Sequence, residues 1–400
     1  MSGLPKSASF PLFILMLNLF IALLGQGMVI PILPEYLKEF NAAGAAAGYL
    51  IAAFGTAQFI FSPIGGQLSD RWGRKSMIIS GLFLTVIADL LFALSTTLPL
   101  LYIARFIGGI GIGLMVPANM AYVADITTPE TRAKGMGYLG ASMNLGMVLG
   151  PGLGGLIAEL GIRAPYFFAG GLGLVATLLS LYMPETLPKE KRIPANTLVR
   201  REPIRNQIMN SFRTPYFRYL LLILIMTFGL MNYETVYALF VEQKYGFDAT
   251  KISLIITIGA VIGIIVQIWL LDILIKRLGE MKLIRISLIM TAVALILMII
   301  KINLVYLLIV SALFFAFNAF LRPTVSTLIA NAAGDRQGYA AGLNTTYSSI
   351  GNIIGPLFAG LLFDKHIHIP YIVGALILGS AFFLTLSKTK NVKEQVVSYD

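Results

Sequence analysis

The sequence has no cysteine and few charged side chains. Among its 400 residues, 12% are Asp, Glu, Lys or Arg, whereas 57% are hydrophobic. Without cysteine, disulfide bonds and thiolate metal sites are excluded. A soluble domain usually carries about a quarter charged residues. Because so few charges cannot cover a water-facing surface, we expect most of the exterior to face lipid.

Residues for catalysis are also scarce. The two histidines, His366 and His368, fall in one predicted external loop, and the sequence has neither an HExxH nor a GxxxxGK[ST] motif. We therefore predict no enzyme activity, no metal site and no cofactor. The missing nucleotide-binding motif argues against ATP as the energy source, unless a separate subunit supplies it.

Long apolar runs are what the sequence has in abundance. A transmembrane helix needs about 20 mostly apolar residues, and twelve runs meet that test. They are too long and too continuous for barrel strands, so we predict an all-α membrane protein with twelve spans. The first run lacks a small-residue cleavage site and is predicted to be a retained span. The predicted spans are residues 10–33, 45–67, 76–95, 99–123, 134–158, 164–183, 217–241, 250–271, 282–300, 302–329, 339–362 and 370–387.

The basic residues predict the orientation of the spans. A net charge of +11 could indicate nucleic-acid binding, but the basic residues stand in short gaps between apolar runs. With the N-terminus inside, 22 of the 30 Lys and Arg fall in cytoplasmic segments, as the positive-inside rule requires. We therefore predict that both termini are cytoplasmic. The external loops keep Lys38, Arg163, Lys244, Lys251, Lys301 and Lys365.

The two halves of the sequence resemble each other. Residues 146–151 (GMVLGP) in span five match residues 351–356 (GNIIGP) in span eleven, at an offset of 205. Pro117 in span four and Pro323 in span ten are offset by 206. Matching offsets in separate spans indicate a parallel repeat of six spans plus six.

The repeat predicts the domain organisation. We expect six-helix bundles over residues 1–183 and 217–400, with a substrate site near the bilayer midplane between them. Residues 184–216 form the predicted cytoplasmic linker and are rich in Lys and Arg. This composition favours a solvated linker or an interfacial helix on anionic lipid, with a regulatory docking site as the alternative.

The loop after span two carries the most specific motif. Residues 66–75 read GQLSDRWGRK. The glycines permit a tight turn and close helix approach, and Asp70 can pair with basic residues. By composition alone, this is a basic loop that fixes topology. Its spacing, however, matches the signature loop of the major facilitator superfamily.

Further blocks carry the same resemblance. They are residues 24–34 in span one, Arg105 with the glycines after it in span four, the glycine–proline run of span five, and residues 228–235 (FGLMNYET) in span seven. Together they resemble the twelve-span drug:proton antiporter family, in its Bmr/NorA-like multidrug efflux branch. The resemblance implies the major facilitator fold of two pseudo-symmetric six-helix bundles, with the proton gradient as energy source. It also implies a conformational role for Gly66, Asp70, Arg71, Gly73, Arg74, Arg105, Gly150 and Pro151.

Four ionisable residues lie well inside spans. An ionised group at the bilayer centre costs at least about 2.5–3.5 kcal/mol on insertion scales, so each needs a partner or a task. The resemblance implies that Glu234 couples protons to substrate, with Arg322 as its electrostatic partner; the alternative is a fixed salt bridge or helix cap. Asp89 and Arg105, in adjacent spans, are either a mutual pair or participants in proton release.

Two positions depart from the family pattern. Relatives carry an aspartate three residues before Arg322, where this chain has Ala319. The C-terminal half then has one acid in its cavity rather than two, which leaves open how many protons move in each transport cycle. Gln26 stands where relatives usually have an apolar residue, and the sequence offers no account of it. The acids at span edges, expected to need only water or headgroups, are Asp125, Glu159, Asp272 and Asp364.

The resemblance further implies a drug cavity with aromatic, flexible and polar walls. For any single residue, a helix–helix hydrogen bond is the alternative role. The predicted substrate-binding residues are Glu234, Arg322, Asn18, Phe54, Gln58, Met115, Asn144, Tyr237, Gln267 and Asn352, with Asn119 as a further polar position.

We therefore predict a multidrug efflux transporter that exports lipophilic, often cationic drugs in exchange for protons by alternating access. The alternative is a narrow-specificity proton-coupled exporter of a single drug, sugar or metabolite. The expected partners are small-molecule substrates, protons and the lipid bilayer, without nucleic acid. We expect a monomer that crosses the bacterial plasma membrane many times.

Overall fold

The computed structural model describes residues 6–192 and 204–386. In this part of the chain there are thirteen α-helices and two short 3₁₀ turns, and no strand. The all-α prediction is therefore confirmed for the described residues. Residues 193–203 of the predicted linker and the end of the last predicted span lie outside them.

Twelve of the helices coincide with the predicted spans. Ten are long and apolar enough to cross a membrane, and two apolar helices, α6 and α13, are shorter. The remaining helix, α7, lies in the predicted linker. The helices are α1 Lys6–Lys38, α2 Gly44–Trp72, α3 Arg74–Leu94, α4 Leu98–Ile126, α5 Pro129–Ala158, α6 Ala164–Ser180, α7 Ile204–Ser211, α8 Phe217–Tyr245, α9 Ala249–Leu278, α10 Glu280–Met298, α11 Leu304–Ala333, α12 Gln337–Lys365 and α13 Ile369–Leu384.

Local sequence signals set several helix ends. Asn303 caps α11, where its side chain accepts a hydrogen bond from the Tyr306 N–H at 2.8 Å. Gly73 separates α2 from α3 with φ +101°, and Gly279 separates α9 from α10 with φ +78°. Left-handed backbone favours glycine because it has no Cβ. The same turn therefore follows span two and span eight, as the internal repeat requires.

Helix packing divides the described chain into two compact units. The first comprises the described residues of Met1–Val199 and the segment Val241–Thr257. Within it, α1 packs on α5, α4 packs on α2 and α3, and α6 packs on α1 and α3. Its core consists of aliphatic, Met and aromatic side chains such as Leu15, Leu82 and Tyr122, which have no exposed surface.

The second unit comprises the described residues of Arg200–Phe240 and Ile258–Asp400. In it, α8 contacts α12 and α13, α9 contacts α11, and α10 packs on α11 and α13. Because α7 lies in the linker, α8 to α13 are spans seven to twelve. The contacts in this unit therefore pair span seven with eleven, eight with ten, nine with ten and nine with twelve. The first unit pairs spans one with five, two with four, three with four and three with six. The predicted repeat is therefore present in the packing of each unit.

The matched glycines occupy matched contacts. A Cβ on Gly146 of α5 would lie 2.5 Å from the carbonyl oxygen of Phe20 on α1. A Cβ on Gly351 of α12 would lie 3.0 Å from the carbonyl oxygen of Leu224 on α8. Only glycine lets two helix backbones approach this closely. In both units, the glycine of this motif therefore allows close packing of two helices.

The segment Val241–Thr257 is held to α1 and α5 by polar contacts. Lys38 at the end of α1 forms an ion pair with Glu242. The Thr250 hydroxyl donates to the Glu159 carboxylate at 3.1 Å, and a Cβ on Gly155 would lie 2.5 Å from the Cβ of Ser253. The expectation that Glu159 needs only water or headgroups is therefore wrong, because a threonine of this segment reaches it.

Candidate functional site

Glu234 lies on α8 and is partly buried. Its carboxyl group forms no hydrogen bond and no ion pair with any described residue. The Arg322 guanidinium, on α11, is exposed and likewise lies more than 4.0 Å from every carboxylate oxygen of the described chain. The expected partnership of Glu234 with Arg322 is therefore not formed in this structure.

Aromatic packing explains the separation of these two charges. The rings of Tyr233 on α8 and Phe314 on α11 stack with centroids 4.0 Å apart. Glu234 follows Tyr233 directly, so it lies near the level of Phe314. Arg322 comes eight residues after Phe314, which is about 12 Å along a helix that rises about 1.5 Å per residue.

Tyr237 is built into the interior of the second unit. Its hydroxyl is 2.8 Å from the Ser311 hydroxyl, and its ring centroid is 4.7 Å from that of Tyr233. The side chain is 1% exposed, so this predicted substrate-binding residue packs in the interior of the unit. Gln267 is instead exposed on α9, and Asn352 on α12 is partly buried.

The predicted binding residues of the first unit also divide by environment. Asn18 is fully buried, and its amide donates to the Ser180 hydroxyl at 2.9 Å, which links α1 to α6. Met115 is fully buried in the core. Asn144 is exposed and Gln58 is partly exposed. Asn18 therefore has the alternative role, a hydrogen bond between two helices. Asn119 is fully buried and donates to the Met115 carbonyl oxygen at 3.1 Å.

A small polar cavity lies inside the first unit. Its volume is about 30 Å³, counted as space open to a water molecule. Its polar wall consists of Gln26, Thr85, Asp89, Arg105 and Tyr166, and Phe54 and Phe92 supply aromatic surface. Of the predicted residues, Asp89, Arg105 and Phe54 are thus brought together, and sequence reasoning missed Tyr166.

Asp89 and Arg105 share this cavity without direct contact. No ion pair within 4.0 Å joins them, and Asp89 has no hydrogen bond to the described chain. The Arg105 guanidinium carbon lies 5.1 Å from the centroid of the Phe92 ring, a cation–π contact. The Arg105 Nε and the Tyr166 hydroxyl are buried and have no hydrogen-bond partner among the described residues. The predicted mutual pair is therefore not a contact ion pair.

The signature loop forms a charged network at the start of α3. Arg74 forms ion pairs with Asp70, one helical turn before it, and with Asp125 of α4 at 3.3 Å. It also donates to the Ser69 hydroxyl at 2.8 Å. The Thr186 hydroxyl donates to Asp125 at 2.8 Å. The expectation that Asp125 needs only water or headgroups is therefore wrong.

Glu185, which sequence reasoning did not single out, caps α3 from the segment after α6. Its carboxylate accepts hydrogen bonds from the backbone N–H groups of Arg74 at 2.9 Å and Lys75 at 3.2 Å. A carboxylate at a helix N-terminus satisfies free N–H groups and complements the helix dipole. The contact spans 111 residues of sequence, so no local pattern signals it.

The remaining motif residues lie at helix contacts. Gly66 lies one turn before Ser69, whose hydroxyl donates to the Gly66 carbonyl oxygen at 3.0 Å, and Arg71 lies in the last turn of α2. A Cβ on Gly150 would lie 2.7 Å from the carbonyl oxygen of Leu24, and Pro151 packs against Gly27. The span-five motif thus lies against span one.

Two units of six apolar helices with the same internal pairing define a multi-pass helical membrane protein built on a parallel repeat. The model of the Major Facilitator Superfamily matches residues 15–299 and 220–397. The chain belongs to this family, whose members are membrane transporters rather than enzymes.

Individual relatives match over nearly the whole chain. Multidrug resistance protein 2 of Bacillus subtilis is 39% identical over 93% of this chain and 94% of its own length. The quinolone resistance protein NorA of Staphylococcus aureus is 36% identical over 96% of this chain and 97% of its own. A D-xylose–proton symporter superposes with a TM-score of 0.76 at 18% identity, over 96% of this chain and 99% of that one. The chain is a multi-pass protein of the bacterial cell membrane.

Proposed function

We propose that this protein exports lipophilic, often cationic drugs in exchange for protons, by alternating access. The observation that carries the proposal is the 39% identity, across 93% of the chain, to a protein named for multidrug resistance. A protein named for quinolone resistance supports it at 36% identity. The energy source in this proposal is the proton gradient, with no cofactor.

In this proposal Glu234 is the coupling acid of the second unit. Its carboxyl group stands in an apolar helix without a partner in the described chain. An unpartnered ionised carboxylate in a membrane is costly, whereas the protonated form is not. A bound drug cation would compensate the ionised form. Glu234 therefore holds a proton when empty and releases it when a cation binds.

The proposed substrate contacts are not equally available. Glu234, Gln58 and Asn352 are partly exposed, and Arg322, Gln267 and Asn144 are exposed. These side chains can reach a ligand without breaking a described contact. Asn18, Met115 and Tyr237 are buried in packing or hydrogen bonds, so their contribution is to hold the helices that carry the others.

The orientation and assembly belong to the same proposal. Both termini face the cytoplasm, the bundles 1–183 and 217–400 are the working halves, and the protein acts as a monomer. The excess of basic residues in the predicted cytoplasmic segments supports the orientation.

Ethidium efflux from proteoliposomes under an imposed pH gradient tests the function. We expect ethidium to move against its concentration gradient only when the pH gradient is present. Movement of a second, chemically unrelated lipophilic cation would support a broad range. If no lipophilic cation moves under the gradient, the multidrug proposal fails and a narrow-specificity exporter takes its place.

A further inference from the structure

The cavity of the first unit is built to hold water. A cavity needs roughly 10–15 Å³ of space to hold one water, and the water needs two to four polar partners. At about 30 Å³ this cavity admits water. Its wall offers an amide, a threonine hydroxyl, a carboxylate, a guanidinium and a phenol.

Unmatched polar atoms show where that water would bind. The Arg105 Nε and the Tyr166 hydroxyl are buried and have no partner in the described chain, and Tyr166 is 2% exposed. A buried polar group without a partner is destabilising. Bridging waters between these atoms and the Asp89 carboxylate remove that cost.

The helices around Asp89 leave its carboxyl group open to the cavity. A Cβ on Gly25 of α1 would lie 3.7 Å from the Asp89 Oδ2, and a Cβ on Gly170 of α6 would lie 3.7 Å from the Asp89 Cβ. Glycine at position 25 therefore leaves space beside the Asp89 Oδ2, and glycine at position 170 leaves space beside the Asp89 Cβ. Larger residues there would contact Asp89.

The groups around Asp89 can accommodate both its ionised and its protonated form. Arg105 of α4 and Tyr166 of α6 line the same cavity as Asp89. On α1, the Tyr36 ring packs against the Tyr166 ring, with centroids 5.6 Å apart. From α2, the cavity wall has Phe54. When Asp89 is ionised, Arg105 compensates its charge through water. When Asp89 is protonated, the guanidinium keeps the Phe92 ring as its partner.

We propose that Gln26, Asp89, Arg105 and Tyr166 form a hydrated proton-binding site in the first unit, separate from Glu234. A hydronium ion in the cavity gives one proton to the Asp89 carboxylate, which leaves a neutral water; ionisation reverses this step. The Gln26 amide and the Tyr166 hydroxyl position the water. This inference deepens the proposed function, on which its role in transport rests, and it gives Gln26 a role.

Infrared difference spectroscopy of the purified protein in lipid, without drug, tests the site. A protonated carboxyl group gives a C=O band that disappears on ionisation. In a Glu234→Gln background, we expect one such band to titrate with pH. Adding Asp89→Asn should remove the band, and Asp89→Glu should keep it at a shifted frequency, which shows that the site still folds. Asp272→Asn, at an exposed acid of α9, should leave it unchanged.

The same spectra test the other members of the site. Gln26→Leu and Tyr166→Phe each remove one polar group, and each should move the midpoint of the Asp89 band by about one pH unit. If Asp89→Asn removes no titrating band, the proposal is overturned. If neither Gln26→Leu nor Tyr166→Phe moves the midpoint, the cavity is not the proton site.

Transport separates this inference from the proposed function. Asp89→Asn should lose gradient-driven ethidium accumulation yet keep downhill ethidium movement, as an uncoupled transporter does. A titrating Asp89 band in a protein that moves no lipophilic cation would keep the proton site and reject the multidrug function. Gradient-driven ethidium export with no titrating Asp89 band would do the reverse.

Discussion

Glu234 and Asp89 are both acids in spans, and neither has a contact partner in the described chain. Their surroundings differ. Glu234 stands beside an aromatic cluster, while Asp89 shares a cavity with a guanidinium. This difference predicts that the two acids respond differently to a cationic ligand, because Asp89 shares its cavity with Arg105, whereas no cation of the described residues pairs with Glu234.

Neutralisation of Glu234 is the most direct test of its role. Glu234→Gln keeps the size and polarity of the side chain but cannot carry a proton. We expect normal insertion and loss of proton-driven ethidium efflux to background, measured in proteoliposomes. Asp272→Asn is the matched control, because it neutralises an exposed acid of α9. Full efflux by Glu234→Gln would remove this residue from the mechanism.

Tyr237 is expected to act through stability. Tyr237→Phe removes its contact with Ser311, and a hydrogen bond of this kind is worth about 0.5–1 kcal/mol in a membrane protein. Thermal unfolding in detergent should show that Ser311→Ala causes a similar loss and that the double variant is no worse than either single one. Weaker ethidium binding without loss of stability would instead place the Tyr237 hydroxyl in the binding site.

At the scale of elements, the glycines at helix crossings provide a matched comparison. A Cβ on Gly146 would meet the backbone of α1, whereas a Cβ on Gly140, on the same helix, would meet nothing within 4 Å. Overpacking typically costs about 1–3 kcal/mol, so Gly146→Ala should lower the unfolding temperature. Gly140→Ala should leave it unchanged or raise it slightly, since alanine favours helix by about 1 kcal/mol. Equal effects of the two variants would contradict the close approach of α1 and α5.

The cap of α3 is a second element-scale feature. Glu185→Ala removes the acceptor of the Arg74 and Lys75 N–H groups, and loss of a helix cap costs about 1 kcal/mol. Hydrogen exchange should show faster exchange of these two amides. Glu190→Ala removes an exposed acid five residues later and should leave both amides unchanged. Unchanged exchange in Glu185→Ala would show that the cap is not formed in lipid.

At the scale of the whole molecule, the absence of cysteine makes the topology easy to test. Single cysteines can be introduced into an otherwise unreactive chain. Asp248→Cys, in a predicted external loop, should react with an impermeant maleimide on intact cells. Glu190→Cys, in the predicted cytoplasmic segment, should react only after permeabilisation. The opposite pattern would reverse the orientation of every span.

Much of this architecture follows from local sequence. Apolar runs of span length predict the helices because the bilayer fixes their length, and the matched segments 146–151 and 351–356 predict the repeat. The sequence could not predict that Glu234 and Arg322 stand apart, because their separation depends on the register between α8 and α11. The Glu185 cap and the cavity around Asp89 likewise depend on contacts between residues far apart in sequence.

The boundary between the two units has a mechanical consequence. It crosses α8 between Phe240 and Val241 and α9 between Thr257 and Ile258, and at these two points it lies within a continuous helix rather than in a loop. Neither helix contains proline, the usual cause of a sharp kink. Each of these helices is therefore expected to resist bending at the point where the boundary crosses it. Bending either helix at that point would store elastic work.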